Sequence, residues 1–508
     1  MFASSLVQEY LDRILKARVY EAAVQTPLEL APRLSCRLGA KVYLKREDQQ
    51  PVFSFKIRGA YNRMRQLTAE ERAKGVICSS AGNHAQGVAL SGRKLGVKTC
   101  IVMPGTTPMI KVDAVRNWGG EVVLFGDSYQ EAQGEAMRRM VEQDLIYIHP
   151  YDDPEVIAGQ GTIGLELLRQ LDPETVDAVF VPIGGGGLIS GIGACMKALY
   201  PHIRIVGVEP IDAASMTQSL SAGRIVELSE VGLFADGVAV KKVGANTFAL
   251  CQEVVDEMIT VDTDAICAAI KDVFEDTRTI LEPAGALAVA GCKAWRRRHP
   301  EGEPVVIALA CGANMNFDRL RHVAERAEFG EEREALLAVT IPEVPGSFRT
   351  FCEALGERGI TEFNYRYAHT DQAHVFVGLQ VNGVAETSQL IASLDARGYA
   401  CVNLTGDEFA KLHLRHLVGG PAPLEGGERL FRFEFPERPG ALLRFLTALP
   451  PSCNITLFHY RNQGADVGRV LTGLQVPDAV EVDFEAFLEK LGYEFVEETG
   501  HPASTLFL

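Results

Sequence analysis

Val176–Met196 reads VDAVFVPIGGGGLISGIGACM. Its first part, Val176–Pro182, is a near-continuous apolar run, the mark of a strand in a parallel sheet covered on both faces. Four consecutive glycines, Gly184–Gly187, break the run, and Leu188 opens a predicted helix. The 19 residues Ala178–Met196 carry no charge, close to the length of a membrane span. Six Gly and one Pro among them describe a strand, a turn and a helix start better than one unbroken helix.

The pattern extends outward. Lys41–Lys45, Gly75–Ser79, Thr99–Met103, Ile203–Val208 and Pro304–Ala310 read as further strands of the same kind. Segments with helical spacing lie between them, such as Ile110, Ala114 and Trp118 at i, i+4 and i+8. Residues 1–325 therefore read as one α/β domain with right-handed crossovers, its smaller lobe at about residues 50–150. At 508 residues the chain has room for roughly three domains.

The composition changes at Ala324–Glu334, AERAEFGEERE, which reads as a solvated helix or linker. Gly419–Gly427, GGPAPLEGG, reads as a loop. These breaks frame an internal repeat. Pro342-Glu343-x-Pro345-Gly346 matches Pro436-Glu437-x-Pro439-Gly440. Ile360-Thr361-x-Phe363-x-Tyr365-Arg366 matches Ile455-Thr456-x-Phe458-x-Tyr460-Arg461. Gly378-Leu379-Gln380-Val381 matches Gly473-Leu474-Gln475-Val476. Each copy, 336–408 and 429–503, reads strand, helix, strand, strand, helix, strand, the ferredoxin-like βαββαβ order.

Lys plus Arg total 50 against 66 Asp plus Glu, a net charge of −16, and no basic run stands out. That excludes general nucleic-acid or anionic-membrane binding. The 11 Cys are scattered without a C-x-x-C pair, which points away from a disulfide framework or a metal site and towards a reducing cytoplasm. Met1–Tyr10 has no signal-peptide pattern.

Four constellations can carry chemistry. Ser54-Phe55-Lys56 places an amine beside aromatic Phe53 and Phe55; an apolar surround lowers a lysine pKa and makes it a candidate nucleophile, although a solvated surface lysine is the plainer reading. Ser79-Ser80-Ala81-Gly82-Asn83-His84 follows a strand and opens a helix, either as an ordinary cap turn or as an anion site. Gly184–Leu188 suits a phosphate, its small residues letting several N–H groups converge; a flexible βα turn is the alternative. Cys311-Gly312-Ala313-Asn314 ends the last strand of this region, where ligands gather in open parallel sheets; Cys311 also reads as a small core residue.

In order along the chain, S-F-K-x-R-G-A, S-A-G-N-H-A-Q-G, G-G-G-G-L, E-P-A-G-A (Glu282–Ala286) and C-G-A-N resemble the fold-type II pyridoxal-phosphate enzymes, in particular the serine/threonine dehydratases. The tandem repeat resembles the paired ACT-like regulatory domain of the biosynthetic threonine dehydratases. The resemblance implies two open parallel-sheet lobes followed by two ferredoxin-like ACT-like subdomains. It implies Lys56 as the residue that carries pyridoxal 5'-phosphate, with Phe55 beside it, and Asn83 on the phenolic oxygen. Gly184, Gly185, Gly186, Gly187 and Leu188 would hold the phosphate, and Cys311 would face the pyridine nitrogen, where threonine dehydratases often carry Ser. Ser80, Ala81, Gly82, Asn83 and His84 would bind the substrate carboxylate.

The implied reaction is β-elimination from L-threonine to 2-oxobutanoate and ammonia, the first step of isoleucine biosynthesis, with serine as a second substrate. Tyr365, Arg366, Tyr460 and Arg461 recur at one site in both copies and are the candidate effector residues, for inhibition by isoleucine opposed by valine. The resemblance further implies a cytoplasmic homotetramer. A serine racemase, a catabolic dehydratase or a β-replacement enzyme would share the first 325 residues but needs no repeat. An amino-acid sensor with a dead catalytic lobe would keep the repeat but not need Lys56.

Overall fold

The computed structural model describes residues 4–499 except 127, 318, 345, 367–370, 408–409, 412–414, 416–427, 437–439, 462–466 and 478–480. The loop expected at Gly419–Gly427 lies outside the described residues, as do Pro345, Glu437–Pro439, and the side chains of Arg366 and Arg461. The chain divides into two compact units, residues 1–330 and 331–508.

The first unit holds two sheets. The larger runs in spatial order Leu28–Leu30, Lys41–Arg46, Val305–Ala310, Ala178–Pro182, Arg204–Pro210, Glu257–Val261. All its neighbours pair parallel except the first two strands. The smaller sheet runs Glu121–Leu124, Thr99–Met103, Val76–Ser79, Ile146–Tyr147, parallel throughout. Ala178–Pro182 and Thr99–Met103 are buried at every position, which is why their sequences show no polar alternation. The strand expected from Val176 begins at Ala178, because Pro173–Thr175 forms a short helix capped by Asp172.

Two expectations are corrected. The helix Met109–Asn117 forms, but it buries Val112 and Val115 while Ile110 is exposed. The charged stretch Ala324–Glu334 is not a solvated helix, although the two units do divide within it, between Gly330 and Glu331. It holds the end of the helix Arg319–Gly330 and the first residue of a strand. Ala327 and Phe329 are buried there, Arg326 pairs with Asp264 and Lys271 with Glu328, fixing the helix to Thr263–Thr277.

The second unit contains two βαββαβ copies. The first is Glu334–Pro342, Ser347–Leu355, Ile360–Arg366, Gln372–Gln380, Val384–Ala396 and Ala400–Asn403. The second is Glu428–Pro436, Ala441–Ala448, Asn454–Arg461, Val467–Gln475, Glu481–Leu491 and Glu494–Glu497. Their sheets fuse into one of eight strands, because Ile360–Arg366 pairs antiparallel with Asn454–Arg461. The register sets Phe363 opposite Tyr460 and Tyr365 opposite Phe458, a local twofold about the pair Asn364 and His459. The residues that recur in the repeat thus face one another across its seam. Among the described residues, no helix is long and apolar enough to cross a membrane.

Candidate active site

Lys56 opens the helix Lys56–Arg65 immediately after the loop that carries Ser54. A bridge between Ser54 and Gly312 ties this loop to the end of the strand Val305–Ala310. The Phe55 N–H donates to the Cys311 carbonyl (3.4 Å) and the Ala313 N–H to the Phe53 carbonyl (2.9 Å). Gly87, in the helix Asn83–Leu95, lies under Lys56: a Cβ there would be 3.2 Å from the Lys56 carbonyl carbon and oxygen. Three of the sequence constellations therefore converge on one lysine.

The helix of Lys56 is anchored from behind. Arg58 is fully buried and bonds Glu47 (Nε–Oε2 2.8 Å) and Glu166 (Nη1–Oε1 2.6 Å), while buried Lys45 bonds Glu166 (2.5 Å). Two cations and two carboxylates cancel, so no charge is left unpaired in the low-dielectric interior; removing one partner of such a set costs about 3–5 kcal/mol.

Lys56 itself is half-buried, and its Nζ donates to the Pro150 carbonyl (2.8 Å) with the Phe55 ring centroid 5.4 Å away. Poor hydration of the ammonium lowers its pKa to about 8. The Cys311 thiol is pushed well up, first by burial and then by Glu282, and so stays neutral; its Sγ–H donates to the Ala284 carbonyl (3.4 Å).

The glycine loop is reached through the segment after Pro150. Tyr151 lays its ring against Gly185, where a Cβ would be 2.1 Å from the ring Cγ. The Thr247 hydroxyl donates to the Gly185 carbonyl (2.7 Å). Gly186 adopts φ 95° as the residue before the helix Gly187–Leu199, a conformation that only glycine takes without strain. Among the described residues, the amides of Gly184–Gly187 donate to no protein acceptor. They are orphan donors of a helix start, set for an anion.

At Ser80–His84 the Ser80 N–H is used by Val102 (3.2 Å) and the Gly82 N–H by the Ser80 hydroxyl (3.3 Å). The amides of Ala81, Asn83 and His84 have no protein acceptor among the described residues. His84 is buried and its pKa falls to about 3, first through burial and then through the Lys56 charge. The neutral ring donates Nε2–H to the Ile148 carbonyl (2.9 Å). The Asn83 side chain bonds Glu282 (Nδ2–Oε1 2.5 Å) and Asn314 (Oδ1–Nδ2 2.6 Å). Burial, then the nearby Asp236 charge, raises the Glu282 pKa to about 7.

These residues fit pyridoxal 5'-phosphate. The chain offers an amine of lowered pKa, a glycine cradle with unused N–H groups, a neutral thiol and an amide with a spare donor. Four contributors are not singled out by the sequence. Tyr151 and Thr247 shape the glycine loop but belong to no glycine-rich motif. Asn314 was quoted within C-G-A-N without a role, and Glu282 within E-P-A-G-A likewise. A buried acid at a helix start that caps nothing is the signal that could have singled out Glu282.

In the regulatory unit, Tyr365 is buried and donates from its hydroxyl to Glu343 (2.7 Å). It lines a pocket with Glu343, Ser347, Phe348, Leu446 and Ile455, between the two copies. Tyr460 is buried in the shared core.

Residues 19–312 match the pyridoxal-phosphate dependent enzyme family, and residues 325–414 and 420–508 each match the C-terminal regulatory domain of threonine dehydratase. The chain is 57% identical to a biosynthetic L-threonine dehydratase of Burkholderia multivorans over 98% of its length and 99% of the relative's. It is 53% identical to the biosynthetic L-threonine dehydratase of Escherichia coli, over 98% of its own length and 97% of the relative's. The solved structure of the processed form of threonine deaminase isoform 2 from Solanum lycopersicum superposes with a TM-score of 0.63 at 53% identity, covering 64% of this chain and 90% of that one. With its converging lysine, glycine and thiol segments and its doubled C-terminal module, the chain belongs to the pyridoxal-phosphate dependent enzymes, in the branch that carries the threonine dehydratase regulatory domain.

Proposed function

We propose that the chain deaminates L-threonine to 2-oxobutanoate and ammonia as the first step of isoleucine biosynthesis, accepts L-serine as a second substrate, and is inhibited by isoleucine. The observation that carries this reading is the meeting of Lys56, the Gly184–Gly187 cradle and Cys311 in a chain that also keeps both regulatory copies. The test is steady-state kinetics on threonine and serine, each with and without isoleucine and valine. No formation of 2-oxobutanoate from threonine would sink it. A sensor with a dead lobe is separated by the spectrum: a colourless protein supports the sensor, a visible band bleached by borohydride the enzyme.

Pyridoxal 5'-phosphate, when bound, supplies a conjugated ring that accepts the electron pair left at the substrate Cα. Lys56 would carry it with Phe55 alongside, Gly184–Leu188 would hold its phosphate, Asn83 would bond its phenolic oxygen and Cys311 would face its ring nitrogen. The Ser80–His84 turn offers its free amides to the threonine carboxylate. The Lys56 amine, displaced by substrate, takes the Cα proton as general base; its pKa of about 8 suits that task near neutral pH. Because the Cys311 thiol is neutral, it cannot hold a positive ring nitrogen as a carboxylate would. A ring nitrogen left without a charged partner would favour loss of the β-hydroxyl, once protonated and leaving as water, over transamination.

A cytoplasmic homotetramer is what the resemblance supports. Sedimentation of the purified protein tests the subunit count. Isoleucine is the inhibitor and valine the opposing ligand, with Tyr365, Arg366, Tyr460 and Arg461 as effector residues. The pocket beneath Tyr365 suits a small aliphatic amino acid: Glu343 can meet an ammonium, and Leu446 and Ile455 a side chain.

Tyr365 packs on Phe348, so truncation to Ala would also open the core. Tyr365→Phe keeps the ring and removes the hydroxyl that bonds Glu343. Loss of a bond to a charged group, roughly 1.5 kcal/mol or more, raises the isoleucine concentration for half-inhibition about tenfold. Dose–response curves read the shift, and an unchanged half-inhibition concentration removes Tyr365 from the effector site. Deleting everything after Gly330 is expected to abolish inhibition; a truncated enzyme that is active and equally sensitive overturns the assignment of regulation to the second unit.

A further inference from the structure

The side chain of Asn83 is set by a relay of hydrogen bonds that begins at a backbone carbonyl. Val52 O can only accept, so the atom of Asn314 that faces it at 2.8 Å is its NH2 group. The second hydrogen of that group points to Asn83 at 2.6 Å, so the facing atom of Asn83 is its carbonyl oxygen. The Asn83 NH2 is thereby turned to Glu282, whose Oε1 accepts at 2.5 Å. Both ends of the amide are occupied, and one N–H remains with no protein partner among the described residues.

Glu282 is held for this task. It stands at the start of the helix Pro283–Arg298, yet its carboxylate caps no amide of that helix. Its own N–H donates to the Gly312 carbonyl (3.1 Å). Gly312 leaves the room: a Cβ there would lie 2.1 Å from Glu282 Oε1 and 3.3 Å from Asn83 Nδ2. The last strand, the loop before Lys56 and the start of the Asn83 helix are thus joined through three side chains.

We infer that Glu282 and Asn314 are positioning residues that clamp the Asn83 amide from both sides and leave one N–H for the cofactor ring; this rests on the reading of Asn83 given above. The experiment compares the holoenzymes of Asn83→Ala, Glu282→Ala, Glu282→Gln and Asn314→Asp, reading the absorption maximum of the bound cofactor and its dissociation constant by dialysis. Asn83→Ala, Glu282→Ala and Asn314→Asp are each expected to move the band and weaken cofactor binding about tenfold or more. Glu282→Gln is expected to stay within about threefold of the parent, because glutamine offers the same acceptor oxygen. The clamp is overturned if Asn83→Ala changes band and affinity while Glu282→Ala and Asn314→Asp do not, or if Glu282→Gln is as impaired as Glu282→Ala. An Asn83→Ala protein with the parental band and affinity overturns both the clamp and the role of Asn83. Separate variants test the two sides, so misfolding of one leaves the other to decide.

Discussion

Lys56→Ala is expected to abolish the visible band of the holoenzyme and to lower turnover of threonine by roughly a thousandfold or more. Loss of a positioned general base alone accounts for about 10²–10⁴ in rate. The same change removes the amine proposed to carry the cofactor. Stability should hardly move, because the Lys56 side chain is half-buried and, among the described residues, its Nζ is tied only to the Pro150 carbonyl and the Phe55 ring. Folding imposes a cost on its charge, so truncation removes that cost as well. Circular dichroism and thermal melting check the fold, absorption and 2-oxobutanoate assays the chemistry. Near-parental activity of the folded variant would discard Lys56. The pKa of about 8 adds a pH test. Only the neutral amine can bond to the cofactor, so uptake by the cofactor-free protein should quicken as pH rises through 8 and then level. A rate flat from pH 6.5 to 9 would contradict it.

Gly185→Val is expected to weaken cofactor retention by about a hundredfold. The amides of Gly184–Gly187 are without protein acceptors, and a phosphate must come close to use them. A Cβ at Gly185 would stand 2.1 Å from Tyr151 Cγ and 2.3 Å from both Cδ atoms, so the ring must leave its place. Tyr151 is also held by its hydroxyl bond to the Lys242 carbonyl (3.0 Å) and cannot move freely. Overpacking of this kind costs about 1–3 kcal/mol of stability, so the cofactor-free variant should also melt earlier. Dialysis against pyridoxal 5'-phosphate measures affinity separately from the melting temperature. An unchanged dissociation constant would reject the phosphate role even if the protein melted early.

Much of this architecture is legible in the sequence because parallel strands buried on both faces leave uninterrupted apolar runs. Thr99–Met103 was placed to the residue, and Lys41–Arg46 and Val305–Ala310 within one. The repeat was readable because spaced Pro-Gly turns and Ile-Thr-x-Phe-x-Tyr-Arg strands survive in both copies. What stayed hidden depends on contacts between distant segments. Nothing local distinguishes Val112 and Val115 from Ile110 as the buried face of their helix. The charges of Ala324–Glu334 suggested solvent until Arg326 and Glu328 found partners on another helix. The pairing of the two repeat strands joins residues about 95 positions apart, and the relay from Val52 through Asn314 to Asn83 spans 262 and 231 positions. A motif can name Asn83, but it cannot show which way its amide points.

The seam between Ile360–Arg366 and Asn454–Arg461 has one more consequence. Two separate copies of such a module would have to find one another in solution, and dilution would part them. Joined on one chain, each meets its partner at an effective concentration fixed by the connecting residues, of the order of millimolar for a short tether. Pairing of the two copies within one chain is therefore indifferent to how much of the protein a cell contains.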